Sequence, residues 1–214
     1  MRAANRQELP LEPTKSSRFP RTERRSERIT SVLAKRQPDL TVILENVHDP
    51  HNIGAVLRSC DAVGVQAVHT IYTVETRPER AYSRLTSSGT RKWIDLFHHD
   101  SHAACFDQIH TAGFRILTAA LSETANSLYA TDLTQPVALL FGNEQRGASA
   151  EALAASDGFI EIPMMGMVES LNISVACAVT LFEALRQRQA AGFYDQPRLS
   201  SQEQERLATE WITR

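Results

Sequence analysis

Residues 40–64 read LTVILENVHDPHNIGAVLRSCDAVG. Within them Thr41–Glu45 is a short apolar, β-branched run, the pattern of a strand covered on both faces. A polar turn through Asp49-Pro50 follows, and Ile53–Val63 then carries its apolar residues at helical spacing. Gly64 stands where a helix closes in the left-handed conformation that glycine adopts without steric cost. A strand, a loop and an amphipathic helix in this order are the first half of a parallel βαβ unit.

The alternation continues along the chain. Apolar strands are predicted at Ala67–Tyr72, Trp93–Phe97, Phe114–Thr118, Val137–Phe141 and Phe159–Ile162. Helices are predicted over Ser101–Ala112, Ala148–Ser156 and Asn172–Gln189, with Gly113 as a second closing glycine. Short apolar strands separated by helices specify an α/β fold, a parallel sheet covered on both faces. Helical extensions flank this body. Thr22–Arg36 has a narrow apolar stripe (Ile29, Val32, Leu33), Thr22 as its cap and Pro38 as its stop. Ser200–Arg214 has Leu207 and Trp211 one turn apart, and Ser201 with Gln204 suits a capping box. Pro10, Pro13 and Pro20 interrupt a stretch without apolar periodicity. The expected organisation is therefore a flexible basic arm over 1–20, a basic helix over 21–38, the α/β body over 39–192 and a C-terminal helical extension over 193–214.

At 42% hydrophobic and 22% charged residues, the 214-residue chain has ample material for one core. No apolar run approaches the roughly 18 residues that span a bilayer, and the basic N-terminus is not a signal peptide. Cys60, Cys105 and Cys177 are too few and too scattered for a disulfide framework, which points to a reducing cytoplasm. The net charge of −2 conceals a division: residues 1–36 carry ten Lys/Arg against four Asp/Glu, and residues 37–214 carry 13 against 21. A basic arm on an acidic body suits a polyanionic partner, although composition alone equally allows a solvated tail.

Three strand-to-helix junctions could carry chemistry, because ligands of α/β sheets gather where strands end. The first is Glu45 to Arg58, the second Leu140 to Gly147, and the third Ile162 to Asn172. The second brackets four residues with Gly142 and Gly147 and places Ser149 where a phosphate-binding loop has its hydroxyl. That loop also needs a lysine, and Ala148 occupies its place; the dinucleotide fingerprint is absent too. In the third, Pro163 and Gly166 break a Met-rich run, which reads either as a buried connection with Met164, Met165 and Met167 as gap fillers or as a ligand loop. Ser170 and Asn172 are good helix caps whatever else they do, and Ser170 lies in no G-x-S-x-G elbow. His48, Asp49 and His51, and likewise His98, His99, Asp100 and His102, lie in predicted loops without a second pair of ligands, so no metal centre is expected.

Taken together the junctions resemble the three signature motifs of the SPOUT superfamily of RNA methyltransferases, and among these the TrmH family of tRNA 2′-O-methyltransferases. Asn52-Ile53-Gly54-Ala55-Val56-Leu57-Arg58 matches the first motif, Gly142-Asn143-Glu144-Gln145-Arg146-Gly147 the second, and Ile162-Pro163-Met164 through Ser170-Leu171-Asn172 the third. Arg36 to Val42 and Glu45 to Asn52 resemble the tRNA guanosine-18 enzymes in particular. Gly54 departs from the pattern, where many members carry Ser.

The resemblance implies a parallel sheet whose C-terminal part is threaded into a deep trefoil knot. It further implies S-adenosylmethionine held by backbone groups, with Gly142, Ile162 and Leu171 in contact with it, and a homodimer with the site near its interface. Arg58 becomes the central catalytic residue, with Asn52, Glu144, Ser170 and Asn172 completing the site. Two roles for Arg58 stay open: a transiently neutral base, or a permanently charged fork gripping a phosphate beside the target ribose. Arg24, Arg25 and Arg28 are the expected tRNA-docking residues. The alternatives are the same chemistry on another tRNA position or on ribosomal RNA, and a non-catalytic RNA-binding module.

Overall fold

The computed structural model describes residues 21–78 and 89–214. The expected arm over residues 1–20 lies outside the described residues. Seven strands run in the order β3-β2-β1-β6-β4-β7-β5, all paired in parallel. They are β1 Leu40–Glu45, β2 Ala67–Ile71, β3 Asp95–His99, β4 Arg115–Ala119, β5 Asn126–Ser127, β6 Val137–Phe141 and β7 Gly158–Glu161. The helices are α1 Arg21–Leu33, α2 Pro50–Val63, α3 His102–Thr111, α4 Ala150–Ala155, α5 Ile173–Ala190 and α6 Ser201–Thr213.

Side-chain alternation along β1 builds two cores. Leu40, Val42 and Leu44 pack with α2 and α5, whereas Ile43 packs with Cys105, Phe106 and Ile109 of α3 and Ala152 of α4. Both faces being covered explains why β1 and β6 are buried at every position. The 14-residue α2 starts on Asp49, whose side chain accepts the His51 N–H, has Pro50 in its first turn, and ends on Gly64 at φ 86°. A Cβ at Gly64 would lie 2.4 Å from the Lys35 carbonyl oxygen, so the glycine also admits the chain between α1 and β1.

The two terminal helices pack on each other. Ile29 and Leu33 of α1 and Leu207 and Trp211 of α6 form a separate small core, flanked by Trp93. Trp93 therefore does not begin β3, as predicted, but lies in the short 3-10 turn Thr90–Trp93, its ring 5.1 Å from Trp211. Helix α1 starts at Arg21 and ends at Leu33, short of the expected Arg36. Arg36 is fully buried and structural: it donates to Val65 O, Trp93 O and Asp61 Oδ1, and its guanidinium lies 5.0 Å over the Trp211 ring. The α6 cap is Ser200, whose Oγ accepts the Glu203 N–H, one residue before the predicted pair. Arg188, also fully buried, ties the end of α5 to the entrances of β1 and β6 through Asp39, Gln37 and the carbonyls of Leu133 and Gln135. No described helix is long and apolar enough to cross a membrane.

Candidate active site

In a parallel sheet every strand delivers its C-terminal end to the same edge, so the loops after β1, β6 and β7 leave from one side of this molecule. The loop after β6 folds tightly. Asn143 and Gly147 exchange both backbone hydrogen bonds at 2.9 Å, and Gly147 is left-handed at φ 70°. Asn143 Oδ1 accepts the N–H groups of Gln145 and Arg146, while its Nδ2 donates to Asn46 O at 2.9 Å. Gly142 is required by close approach: a Cβ there would fall 2.2 Å from Ala148 N.

This turn presents Glu144 to the start of α2. Asn52 Nδ2 donates to Glu144 Oε1 at 3.1 Å, and Asn172 Nδ2 donates to Asn52 Oδ1 at 3.1 Å. Residues separated by 92 and 120 positions in the chain thus form one relay. Asn172 is at the same time the cap of α5, its Oδ1 accepting from Ser174 N and Ser174 Oγ. Three of the five expected catalytic residues are therefore joined. Ser170 is exposed two residues before Asn172. Arg58 is exposed on α2, six residues past Asn52, which places it about 9 Å along the helix and on a different face.

The third junction is open. Among the described residues, no backbone-to-backbone hydrogen bond involves residues 164–171. Met165 and Met167 are 93% and 99% exposed, which overturns the reading of this run as a buried connection. A cleft of about 370 Å³ lies against it, lined by Leu121, Glu161, Ile162, Pro163, Met164, Gly166, Val168 and Glu169. That volume is within the range of small-molecule sites. Of the three residues expected at a cofactor, Ile162 lines the cleft; Gly142 closes the neighbouring turn, and Leu171 is half-buried beside Asn172. Arg24, Arg25 and Arg28 are all exposed on α1, although Arg25 also donates to Trp211 O at 3.2 Å and lies over the Trp93 ring.

Several supporting residues escape a reading of motifs. Asn46 has a left-handed backbone at φ 52°, and its Oδ1 collects the N–H groups of Thr73, Val74 and Glu75. The only local signal for this is asparagine's tolerance of that conformation. Buried Glu45 receives the Ser149 N–H and lies 2.6 Å from His102 Nε2, pinning α4 to the end of β1. His48 places Nδ1 3.4 Å from Glu144 Oε2. Arg146 pairs with Glu75 at 2.6 Å.

Of the histidines expected in loops, His48 is in one, whereas His51 lies in the first turn of α2, His98 and His99 on β3 and His102 in α3. His99 meets His69 of β2, which has no place in either cluster of the sequence. Their rings are within 15° of parallel, with His69 Nδ1 and His99 Nε2 3.0 Å apart, and together with Cys105 they form a buried group whose potential ligand atoms all lie within 4.8 Å of one another. Burial, reinforced by the charge of His99, lowers the His69 pKa to about 4.

Residues 39–182 match the model of the SpoU rRNA Methylase family, and residues 186–212 match a SpoU rRNA methylase C-terminal model. The chain is 50% identical over 193 residues to the tRNA (guanosine(18)-2′-O)-methyltransferase of Thermus thermophilus, covering 90% of this chain and 97% of that one. The crystal structure of the A. aeolicus TrmH/SpoU tRNA modifying enzyme superposes with a TM-score of 0.80 at 35% identity, over 90% of this chain and 96% of that chain. The SpoU methyltransferase AviRb from Streptomyces viridochromogenes, in complex with the cofactor AdoMet, gives 0.62 at 28% identity over 73% and 59%. A fold of seven parallel strands, a relay joining three separated motifs and a relative half identical along nearly its whole length have one common explanation: the chain belongs to the SpoU methylase family.

Proposed function

We propose that this protein is a tRNA methyltransferase that transfers the methyl group of S-adenosylmethionine to the 2′-hydroxyl of guanosine 18 in the D-loop. The observation that carries the reading is the Asn52–Glu144–Asn172 relay, built from the residues that the family resemblance singles out, in a chain half identical to an enzyme of that activity.

S-adenosylmethionine supplies a methyl group already activated on a sulfonium. Ile162, Pro163, Met164 and Gly166 line the cleft that would hold it, and the unpaired backbone groups of residues 164–171 are the donors and acceptors a polar ligand needs. Gly142, on the neighbouring turn, and Leu171, beside Asn172, are the further cofactor contacts that the resemblance implies. Glu161 and Glu169 add carboxylates to the same cleft, suited to hydroxyls and to positive charge. Asn52, Glu144, Ser170 and Asn172 shape the ribose side. The task of these groups is alignment, holding the oxygen in line with the methyl group.

Arg58 acts beside them as a charged fork on a backbone phosphate or as a transient base. Its placement away from the Asn52 face suits a homodimer with the site near the interface. The exposed side chains of Met165, Met167 and Val168, with Val175 and Phe182 two turns apart on one face of α5, supply an apolar surface for that contact. We place the trefoil knot over the β6–α5 region. Supporting it, β6 is inserted between β1 and β4, and the open segment after β7 leads α5 back across the sheet to α2. Residues 39–192 are then the catalytic domain, with 21–38 and 193–214 as extensions. Docking of tRNA falls to the α1 face bearing Arg24, Arg25 and Arg28. Three free cysteines fit a cytoplasmic enzyme.

Incubation with radiolabelled donor and unmodified tRNA, followed by mapping of the labelled nucleotide, tests the reading. Label at the ribose of guanosine 18 is the expected result; label elsewhere in tRNA or in ribosomal RNA selects an alternative substrate, and no transfer to any RNA overturns the enzyme.

A further inference from the structure

Away from the cleft and the relay, one set of side chains has the chemistry of a metal site. His69 of β2, His99 of β3 and Cys105 of α3 offer potential ligand atoms that all lie within 4.8 Å of one another. The sheet register brings the histidines together. His69 and Ile71 project from one face of β2, and parallel pairing sets His69 against Phe97 and Ile71 against His99. His99 is thus the diagonal neighbour of His69 on the face that α3 covers, where Cys105 packs with Ile71, Phe106 and Ile109. His98 leaves from the opposite face and meets Thr70 Oγ1 at 2.7 Å, and His102 is held between Glu45 and Glu151, so neither belongs to the group.

The distances suit a single ion. Zinc binds imidazole nitrogen at about 2.0–2.1 Å and thiolate sulfur at about 2.3 Å. Around a tetrahedral centre those bonds set two nitrogens about 3.3 Å apart and nitrogen and sulfur about 3.6 Å apart. His69 Nδ1 and His99 Nε2, at 3.0 Å, need separate only slightly. The widest spacing in the group, no more than 4.8 Å, closes by about 1.2 Å at most, within reach of side-chain rotation. The protonation states suit a cation as well. Burial, reinforced by the charge of His99, lowers the His69 pKa to about 4, and burial lowers that of His99 too, so both rings are neutral at pH 7. Burial pushes the Cys105 thiol up to about 12, and a bound metal is what removes such a proton. A cavity of about 190 Å³ has His69 in its wall with Thr41, Phe97 and Gln108, which gives room for a water.

We infer that His69 Nδ1, His99 Nε2 and Cys105 Sγ bind a zinc ion, with water as its fourth ligand, at a site separate from the cleft and independent of the methyl-transfer reading. Two imidazoles and a thiolate are a ligand set of the softness that zinc takes. As the sulfur–zinc bond forms, the Cys105 proton passes to the buffer. The proton shared between the two rings moves to the outer nitrogen of the ring that keeps it, so both facing lone pairs go to the metal. The ion ties edge strand β3 to β2 and to α3, which makes its role structural.

The test uses the full-length protein, stripped by a chelator and titrated first with Co²⁺ as a spectroscopic probe and then with Zn²⁺. One ion binds per chain, a thiolate-to-cobalt charge-transfer absorption appears and zinc abolishes it, and one proton is released per ion. Zinc at a hundredfold excess over its Kd raises Tm by about 5–10 °C. Cys105→Ser removes the absorption, and both it and His69→Gln weaken zinc binding by about a hundredfold or more, since a lost ligand costs at least as much as a lost outer partner. Cys60→Ser, in the core between α2 and α5, changes neither reading. Circular dichroism checks that each variant is folded; should one not be, the cobalt spectrum and proton count of the unaltered chain still decide. A cobalt complex without the thiolate absorption, or zinc affinity unchanged in folded Cys105→Ser, puts the metal on exposed histidines such as His48 and His51 and overturns the site. Absence of binding leaves His69 and His99 as a hydrogen-bonded pair only, and overturns it equally.

Discussion

Gly142→Ala should do damage out of proportion to the one methyl group it adds. The new Cβ would stand 2.2 Å from Ala148 N, 2.2 Å from Gly147 C and 2.3 Å from Gly147 O, where real contacts do not fall below 3.0 Å. All three atoms are main chain, so no rotamer change relieves the overlap and the turn itself must move by about 0.8 Å. Two reciprocal bonds between Asn143 and Gly147 break, at about 1 kcal/mol each. The buried bond from Asn143 Nδ2 to Asn46 O is lost as well, and leaving both groups unpaired adds about 1–3 kcal/mol. A total of about 3–5 kcal/mol lowers Tm by about 10 °C for a chain of this length. Because Glu144 rides on the same turn, methyl transfer should vanish with it. Gly166→Ala is the control, since a Cβ there meets nothing within 4 Å and should leave Tm unchanged or slightly raised. Thermal unfolding of the three proteins, with donor affinity measured alongside, decides the matter. A Gly142→Ala protein melting with the wild type would refute the close-approach account of this loop.

Arg58→Ala should abolish methyl transfer while leaving S-adenosylmethionine affinity within a few-fold by calorimetric titration; near-normal turnover would remove Arg58 from the centre of the mechanism. Charge reversal of Arg24 and Arg28 to Glu should weaken tRNA binding far more than donor binding. It should also flatten the salt dependence of tRNA affinity by about one unit of slope for each phosphate left unneutralised. Arg25 is better left in place, because its bond to Trp211 O would confound binding with stability. Acidification should destabilise the fold through His69, whose pKa falls from 6.5 to about 4 on burial. The unfolded chain takes up this proton first, so stability is full above pH 6.5 and declines by up to about 3 kcal/mol as pH falls to 4. Denaturant titrations at pH 7 and pH 5 should show about 2 kcal/mol of that loss, and His69→Gln should reduce it.

The sheet was legible because both of its faces are covered. A strand buried on two sides reads as an unbroken apolar run, and β6 was predicted residue for residue as Val137–Phe141. Prediction failed where a residue's role depends on something distant in the chain. Trp93 reads as strand until Trp211, 118 positions on, pulls its ring into the α1–α6 core. Arg36 reads as part of a basic helix until Asp61 and the carbonyls of Val65 and Trp93 claim it. The two-residue strand β5 is too short to carry a period. The same limit applies to the site. The family resemblance singled out Asn52, Glu144 and Asn172, yet their local sequence settles no joint role, and only their contact through 3.1 Å bonds makes one device of them. His48 is the extreme case. Its neighbours in sequence, Asp49 and His51, suggest a metal ligand or a solvated loop, and the carboxylate it faces, that of Glu144, is 96 positions away. Local pattern determines which strands and helices form and on which edge the loops emerge. Which of those loop residues meet is set by the order in which the strands are laid side by side, with β6 brought against β1 from the far end of the chain.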